Sequence, residues 1–539
     1  MNDTTPSAAK DLEKKVWQLM KAGRSEEAAA TCDQLNQAFP EYASGWNTSS
    51  RLAISLNEPV IALQAVQQAL TLSPGKPEFL LQQMASLAVF GDRKAAGVIA
   101  DEIATHVFET AYHASTCAVT MNRLERHADA EFHYLRAVEL NPNNPNYRYN
   151  LATAQRFMGK LDEASANLDR AIELNPADTE ALMLRSGFRT YTESDNNIDA
   201  LKAAFDKVPI GYPGRVQLHF ALAKELDDLG RYEESFEELE KGSAQRRTKL
   251  NYDARKDLEA MRSIREQFTK EDFEAAPPGH VNAEAIFIIG LPRSGTALVE
   301  RVLNNHPVVK TVGEPQSFGV ELVNACERVL GSVPSDSAQL IGAARKIDFA
   351  ELGEAYVKAA RPNAGPQVQF VDKLGMNFMY AGLIHLALPK AKIILAERDP
   401  MDNAYAAFKT LFPGAFPYTY DLKELANYFV GYSELMAHWQ ALMPEVIHTV
   451  RYEDLVASSK AAIEDLLEYC DLSFDEKSLK SFLRADQAGT VSGVRMQQEL
   501  RAQSVGHWRN YRQQFEPVAE IFRQAGFDLS DADESAPVG

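Results

Sequence analysis

The sequence predicts an α + α/β chain: an N-terminal helical solenoid followed by an α/β domain with a parallel sheet. Three observations predict it. Pro40 and Pro74, then Pro142 and Pro176, lie 34 residues apart, and Ala28, Ala62, Ala96, Ala130 and Ala164 keep the same interval. The run Ala285-Ile286-Phe287-Ile288-Ile289 is short, β-branched and aromatic, and stops at a Gly-rich turn before Leu298, Val299, Val302 and Leu303 resume at helical spacing, so the order is strand, loop, helix. Further strand-length apolar runs end at Asp372, Glu397 and Val450.

The repeat comes first in the chain. A helix pair of this length cannot bury its apolar face alone, so neighbours stack into a superhelix with a concave surface. Gly23, Gly91 and Gly159 follow the same period at double spacing, and Asn141-Pro142-Asn143-Asn144-Pro145 and Asn175-Pro176-Ala177-Asp178 read as turns between units. A 34-residue period with small residues at helix crossings and Pro after the second helix resembles the tetratricopeptide repeat. The register blurs after Pro176, with Thr192 to Asn197 as a small insertion, and Gly230-Arg231-Tyr232-Glu233-Glu234-Ser235 marks one last unit. Lys249 to Glu274 then reads as a charged helix and Ala275-Ala276-Pro277-Pro278-Gly279 as a break. The expected partition is a solenoid over 9–248, a helical linker over 249–279 and an α/β domain over 280–530.

A chain of 539 residues with 45% hydrophobic content holds two or three domains with substantial cores. The net charge of −19 argues against nucleic acid or an anionic membrane as partner. Cys32, Cys117, Cys326 and Cys470 are scattered without motif spacing, as in a reduced chain. The start, Met1-Asn2-Asp3-Thr4-Thr5, has no basic or apolar run, and no window of about 18 apolar residues occurs. The expectation is a cytoplasmic protein.

The turn Gly290-Leu291-Pro292-Arg293-Ser294-Gly295-Thr296 is suited to an anion. Backbone N–H groups in such a loop, backed by a helix N-terminus, make a positive concavity, and glycines let the chain approach a ligand closely. Gly290 and Gly295 have the separation of a nucleotide triphosphatase loop, but Thr296 stands where that loop carries Lys. A smaller anionic group held by Arg293, Ser294, Gly295 and Thr296 fits better than a metal-bound triphosphate. The competing reading is a plain strand-to-helix turn whose hydroxyls cap the helix.

Pro292-Arg293-Ser294-Gly295-Thr296 resembles the 5′-phosphosulfate loop of sulfotransferases that use 3′-phosphoadenosine 5′-phosphosulfate (PAPS), with the pattern closest to protein-tyrosine sulfotransferases and bacterial sulfotransferases carrying tetratricopeptide repeats. The resemblance runs over roughly residues 280–525 through ordered motifs. It implies a P-loop-like α/β sulfotransferase domain behind the solenoid. It also implies a catalytic Glu314 in the Gly313-Glu314 turn, 21 residues after Arg293, and a catalytic Lys373. Arg398, in Arg398-Asp399-Pro400, corresponds to the 3′-phosphate residue, and Tyr452 lies in a nucleotide-contacting segment. Either Thr490 or Ser492 would supply a late hydroxyl, and either Arg495 or Arg501 a late cation. Ser504 to Tyr511 is similar to the closing segment of the repeat-carrying group, with Trp508 buried under the site. Two positions depart: Ala406 stands where a Ser sharing the 3′-phosphate is usual, with Asn403 or Lys409 one turn away as compensators, and Ala297 follows Thr296 where a second hydroxyl is common.

Sulfuryl transfer, like phosphoryl transfer, places nucleophile and leaving oxygen in line across a loose transition state, so positioning and charge stabilisation dominate. Glu314 would be the general base, and Arg293 and Lys373 would neutralise developing charge. No metal is expected. The duller readings are a solvated Glu314, a Lys373 paired with Asp372, an Arg398 bridging Asp399 or Asp402 at the surface, a merely packing Tyr452, and His306 as an alternative base or a satisfied turn residue. Against them stands the placement of Lys373 and Arg398 just past strand ends, where open α/β sheets bind ligands. The expected function is PAPS-dependent transfer of a sulfuryl group to an acceptor hydroxyl. Protein or peptide tyrosine comes first, then a carbohydrate or other hydroxylated small molecule, with the solenoid docking the acceptor. The alternative is a tetratricopeptide scaffold whose α/β half binds nucleotide with little or no catalysis. A P-loop kinase is third.

Overall fold

The computed structural model describes residues 7–361, 369–457, 459–474 and 505–529. By their contacts the described residues divide into two units, one ending at Ala181 and the other beginning at Leu182.

The first unit is built of successive helix pairs, Ser7–Lys21 with Ser25–Ala38, Ala43–Ser55 with Pro59–Leu72, Pro77–Phe90 with Arg93–Ile103, Ala111–Arg123 with His127–Leu140, and Pro145–Phe157 with Leu161–Leu174. The in-phase alanines Ala28, Ala62, Ala96, Ala130 and Ala164 are each fully buried in the second helix of a pair. A methyl side chain is what lets two helix axes approach closely at that point. Proline opens the helices at Pro59, Pro77 and Pro145, where its missing N–H costs nothing.

In the second unit the expected Thr192–Asn197 insertion is a small turn closed by an isolated bridge between Thr192 and Asp195. Helices Gly214–Asp228, Tyr232–Arg247 and Ala254–Gln267 precede a sheet that has five strands among the described residues. Its strands are β1 (Ala285–Ile289), β2 (Val309–Thr311), β3 (Gln369–Asp372), β4 (Lys392–Glu397) and β5 (Ile447–Arg451), in the order β2-β3-β1-β4-β5 with every pairing parallel. The register Ile286–Val371 on one side and Ile286–Lys392 on the other puts β1 at the centre.

All five residues of β1 are buried because both faces of the sheet are covered. Ile286 and Ile288 pack with Leu298, Val302, Ile463 and Leu466, while Phe287 and Ile289 pack with Phe318, Leu352, Tyr356 and Ile384 on the opposite face. Alternation along a strand explains the split. The core on the Phe287 side also takes in Phe220 of the helix Gly214–Asp228 and Phe236 of the helix Tyr232–Arg247. Phe236 stacks on Phe408 with centroids 5.8 Å apart and meets Phe515 edge-on at 6.0 Å.

All four cysteines are buried free thiols, and desolvation pushes Cys326 to about 11 and Cys470 to about 12. Among the described residues no helix is long and apolar enough to cross a membrane.

Candidate active site

Parallel strands end on one edge of a sheet, and β1 sits where the chain order reverses, with β3 on one side and β4 on the other. Each strand delivers a candidate residue just beyond its C-terminal end: β1 the loop 290–295, β2 the Gly313-Glu314 turn, β3 Lys373, β4 Arg398 and β5 Tyr452.

The loop after β1 is strained and close. Gly290 has φ 146°, Gly295 φ 105°, and Arg293, a non-glycine, φ 69°. A left-handed Arg costs on the order of 1–2 kcal/mol, strain that the surrounding loop must hold in place. A Cβ at Gly290 would lie 2.6 Å from the Ala396 carbonyl and 2.9 Å from Ser294 Oγ, so no other residue fits there. Ser294 is 3% exposed and its Oγ has no hydrogen-bond partner among the described residues. A buried hydroxyl left unsatisfied costs about 1–3 kcal/mol, and an anion in the loop would remove that cost. Thr296 opens the following helix, Thr296–Asn304, and Gly295 is its N-cap.

Arg398 and Tyr452 close on this loop. Arg398 Nη1 donates to the Arg293 carbonyl at 3.4 Å, and its guanidinium lies 4.5 Å from the Tyr452 ring centroid. Tyr452 Cδ2 is 3.2 Å from where a Gly295 Cβ would stand, so the ring is packed and also forms the wall of the loop. The neighbouring carboxylates have other work. Asp399 caps the helix Pro400–Phe408 through Asp402 N at 2.9 Å, and Asp402 accepts from Gly506 N at 2.6 Å and from Trp508 N at 3.5 Å. Asn403 Nδ2 donates to the Pro292 carbonyl at 3.1 Å, which ties that helix to the loop. Ala406 is buried on the same helix. Of the two suggested compensators, Asn403 is therefore engaged with loop backbone. The Lys409 ammonium lies 4.5 Å from the Tyr405 centroid; burial depresses its pKa, Asp227 raises it, and Arg293 and Arg398 depress it further.

Glu314 and Lys373 meet directly. Lys373 Nζ donates to Glu314 Oε1 at 2.5 Å and lies 3.4 Å from Glu300 Oε2. Its side chain is 8% exposed, against 63% for Glu314. Burial would lower the Lys373 pKa, but the charges of Glu300 and Glu314 outweigh it and the net direction is upward. Asp372, the expected dull partner of Lys373, faces the other way. It accepts from Tyr356 OH at 3.0 Å, Asn377 Nδ2 at 3.1 Å and Leu374 N at 3.2 Å, and burial raises it to about 7. His306 is buried in its turn, with Nδ1 3.5 Å from Val308 N.

Trp508 is buried on the short helix His507–Tyr511. Thr490, Ser492, Arg495, Arg501 and Ser504 lie outside the described residues. Two acidic residues escaped the sequence reading. Glu300 is one. Asp227 is the other: it accepts from Tyr511 OH at 2.5 Å and pairs with His507 Nε2 at 2.8 Å. Burial alone would raise Asp227, but His507, Lys409 and Tyr511 together hold it down at about 2. Nothing in the local sequence marks either residue, since each acquires its partners from segments distant in the chain. Among the described residues no group of three His, Cys, Asp or Glu side chains could hold a metal ion.

Residues 285–476 match the sulfotransferase family, and residues 133–164 and 149–188 match tetratricopeptide repeats. A relative described as an uncharacterized protein, from Aquifex aeolicus (strain VF5), is 28% identical over 381 residues, 69% of this chain and 50% of that protein, so the chain spans about half the length of this relative. Solved structures similar to part of the chain include PilW, a type IV pilus biogenesis factor (16% identity, 41% of this chain and 98% of that chain, TM-score 0.31). Another is YrrB, a TPR protein with an unusual peptide-binding site (19% identity, 38% and 96%, TM-score 0.26). The chain thus carries a sulfotransferase family domain after an N-terminal region of tetratricopeptide repeats.

Proposed function

We propose that this chain is a PAPS-dependent sulfotransferase that moves a sulfuryl group to an acceptor hydroxyl, with tyrosine in a protein or peptide as the first acceptor, and that it works in the cytoplasm. In this reading residues 9–248 dock the acceptor, 249–279 link, and 280–530 carry the chemistry. The observation that carries it is the convergence, at one edge of a parallel sheet, of a strained loop holding a buried hydroxyl without a partner among the described residues, and a carboxylate–lysine pair.

The residues fit an anionic nucleotide donor. Arg293, Ser294, Gly295 and Thr296 would hold its 5′ end and Arg398 its 3′-phosphate, with Tyr452 against the loop, and the donor supplies the sulfuryl group. Glu314, the exposed member of the pair, takes the proton of the acceptor hydroxyl as the new O–S bond forms. Arg293 and Lys373 balance the charge that gathers on the sulfuryl oxygens and on the oxygen whose bond to sulfur breaks. The chain's negative charge does not oppose this, because short-range cations outweigh a screened mean field.

Ala406, where the family pattern has Ser, favours a second reading: a scaffold that keeps nucleotide affinity without turnover. One missing hydrogen bond to a charged group costs about 1.5–3 kcal/mol. Calorimetry with 3′-phosphoadenosine 5′-phosphate and, separately, with ATP–magnesium decides the donor. Transfer of label from radiolabelled donor to a host lysate, comparing wild type with Glu314→Ala, decides the rest. Binding of the first nucleotide with no transfer supports the scaffold, binding of ATP alone removes the donor assignment, and equal transfer by both proteins removes Glu314 as base.

A further inference from the structure

Glu300 stands on the helix Thr296–Asn304, one turn behind the anion loop, and touches Lys373 directly and the Gly313-Glu314 turn through Thr311. Its Oε1 accepts from Thr311 Oγ1 at 2.5 Å, and Thr311 Oγ1 in turn accepts from Gly313 N at 3.2 Å. Its Oε2 lies 3.4 Å from Lys373 Nζ, which donates to Glu314 at 2.5 Å. The ring closes through the backbone, where Lys373 N donates to the Gly313 carbonyl at 2.9 Å. One carboxylate therefore sets the position of the Gly-Glu turn from one oxygen and of the lysine from the other.

The second carboxylate has a chemical consequence. When Glu314 takes a proton from an acceptor hydroxyl, its charge disappears and its pull on Lys373 is lost. A buried ammonium left without a counter-ion is strongly disfavoured and would surrender its proton or its place. Glu300 is itself largely buried, with 13% of its side chain exposed, so it does not exchange with bulk acceptor as Glu314 can. Among the described residues the charged groups against Lys373 Nζ are Glu300 from the loop helix and Glu314 from the turn after β2, while Asp372 is turned away to Tyr356 and Asn377.

We propose that Glu300 is a positioning residue that keeps Lys373 protonated and in place while Glu314 changes charge. The catalytic meaning rests on the sulfuryl-transfer reading; the dependence of Lys373 on Glu300 does not.

Two measurements separate these. The first needs no acceptor: competitive acetylation of Lys373 with acetic anhydride across a pH series, read by mass spectrometry, in wild type and Glu300→Gln. An opposite charge within about 4–6 Å moves a titration by roughly 1–3 units, so the labelling midpoint should fall by at least about 1 pH unit in the variant. Glu300→Asp should fall in between, and it decides the question alone if the Gln variant does not fold. An unchanged midpoint overturns the proposal. The second is turnover with the radiolabelled donor. Glu300→Gln should lower kcat at least tenfold and move the alkaline limb of the kcat profile to lower pH, with acceptor KM within about twofold. Equal profiles overturn the positioning role. A wild type that shows the labelling midpoint but transfers no sulfuryl group sinks the functional reading and leaves the Glu300–Lys373 dependence standing.

Discussion

The two units of the chain solve the problem of order in opposite ways. In residues 7–181 helix pair follows helix pair, and the residues that keep phase are the smallest: five alanines, each fully buried in the second helix of its pair. Most contacts there are with neighbours in sequence, so stability approximates a sum of similar interfaces. In the sheet unit the important residues occur once, and their partners come from far along the chain. Lys373 meets Glu300 and Glu314, Asn403 meets Pro292, and Asp227 meets Tyr511. The difference teaches where single substitutions are graded and where they are decisive.

The largest expected effect is on chemistry. Arg293→Ala should lower sulfuryl transfer by about 10²–10³-fold while leaving the thermal midpoint close to wild type, because Ala keeps the Cβ and with it the left-handed strain, and only the guanidinium is lost. Loss of activity no greater than that of a surface arginine variant would remove Arg293 from the site. Next comes Ile288→Ala, in the fully buried central strand, which should cost about 2–5 kcal/mol in urea unfolding. Ala130→Leu, at a repeat crossing, should cost about 1–3 kcal/mol by overpacking, with sulfuryl transfer per folded molecule retained. If Ala130→Leu proved as costly as Ile288→Ala, the contrast between graded and decisive regions would fail.

A smaller effect sharpens the same contrast through pH. Asp372 has a folded value of about 7 against about 3.9 in an unfolded chain. Its contribution is therefore present in full below about pH 4 and is lost as pH rises through 7. Asp372→Asn should accordingly be more stable relative to wild type at pH 8 than at pH 5, as read by urea midpoints. A difference independent of pH would show that Asp372 does not titrate in this range. The smallest effect belongs to the repeat surface: Arg170→Ala, which breaks an exposed pair with Glu173, should change stability by less than about 0.5 kcal/mol.

Much of the architecture was legible because it is written locally. A buried parallel strand must be apolar on both faces, so Ala285–Ile289 announces itself. The 34-residue phase announces the helix pairs. The loop 290–295, Glu314, Lys373, Arg398 and Tyr452 were legible as motif residues at strand ends. That they meet at one edge depends on all strands being parallel. The end of β3 shows where local reading stops. Asp372 and Lys373 are neighbours, yet alternation sends the first to Tyr356 and the second to Glu300 and Glu314, so the adjacent carboxylate is not the partner.

The sequence alone determined the repeat period, the apolar strands and the chemistry available at the strand ends, since composition and spacing over a few residues decide each of these. Tertiary structure alone decided the strand order β2-β3-β1-β4-β5, the choice of Glu300 over Asp372 as the lysine's counter-ion, and the recruitment of Asp227 to Tyr511 and His507. Those outcomes depend on which distant segments the packed core brings within a few ångströms, and no local pattern encodes that distance.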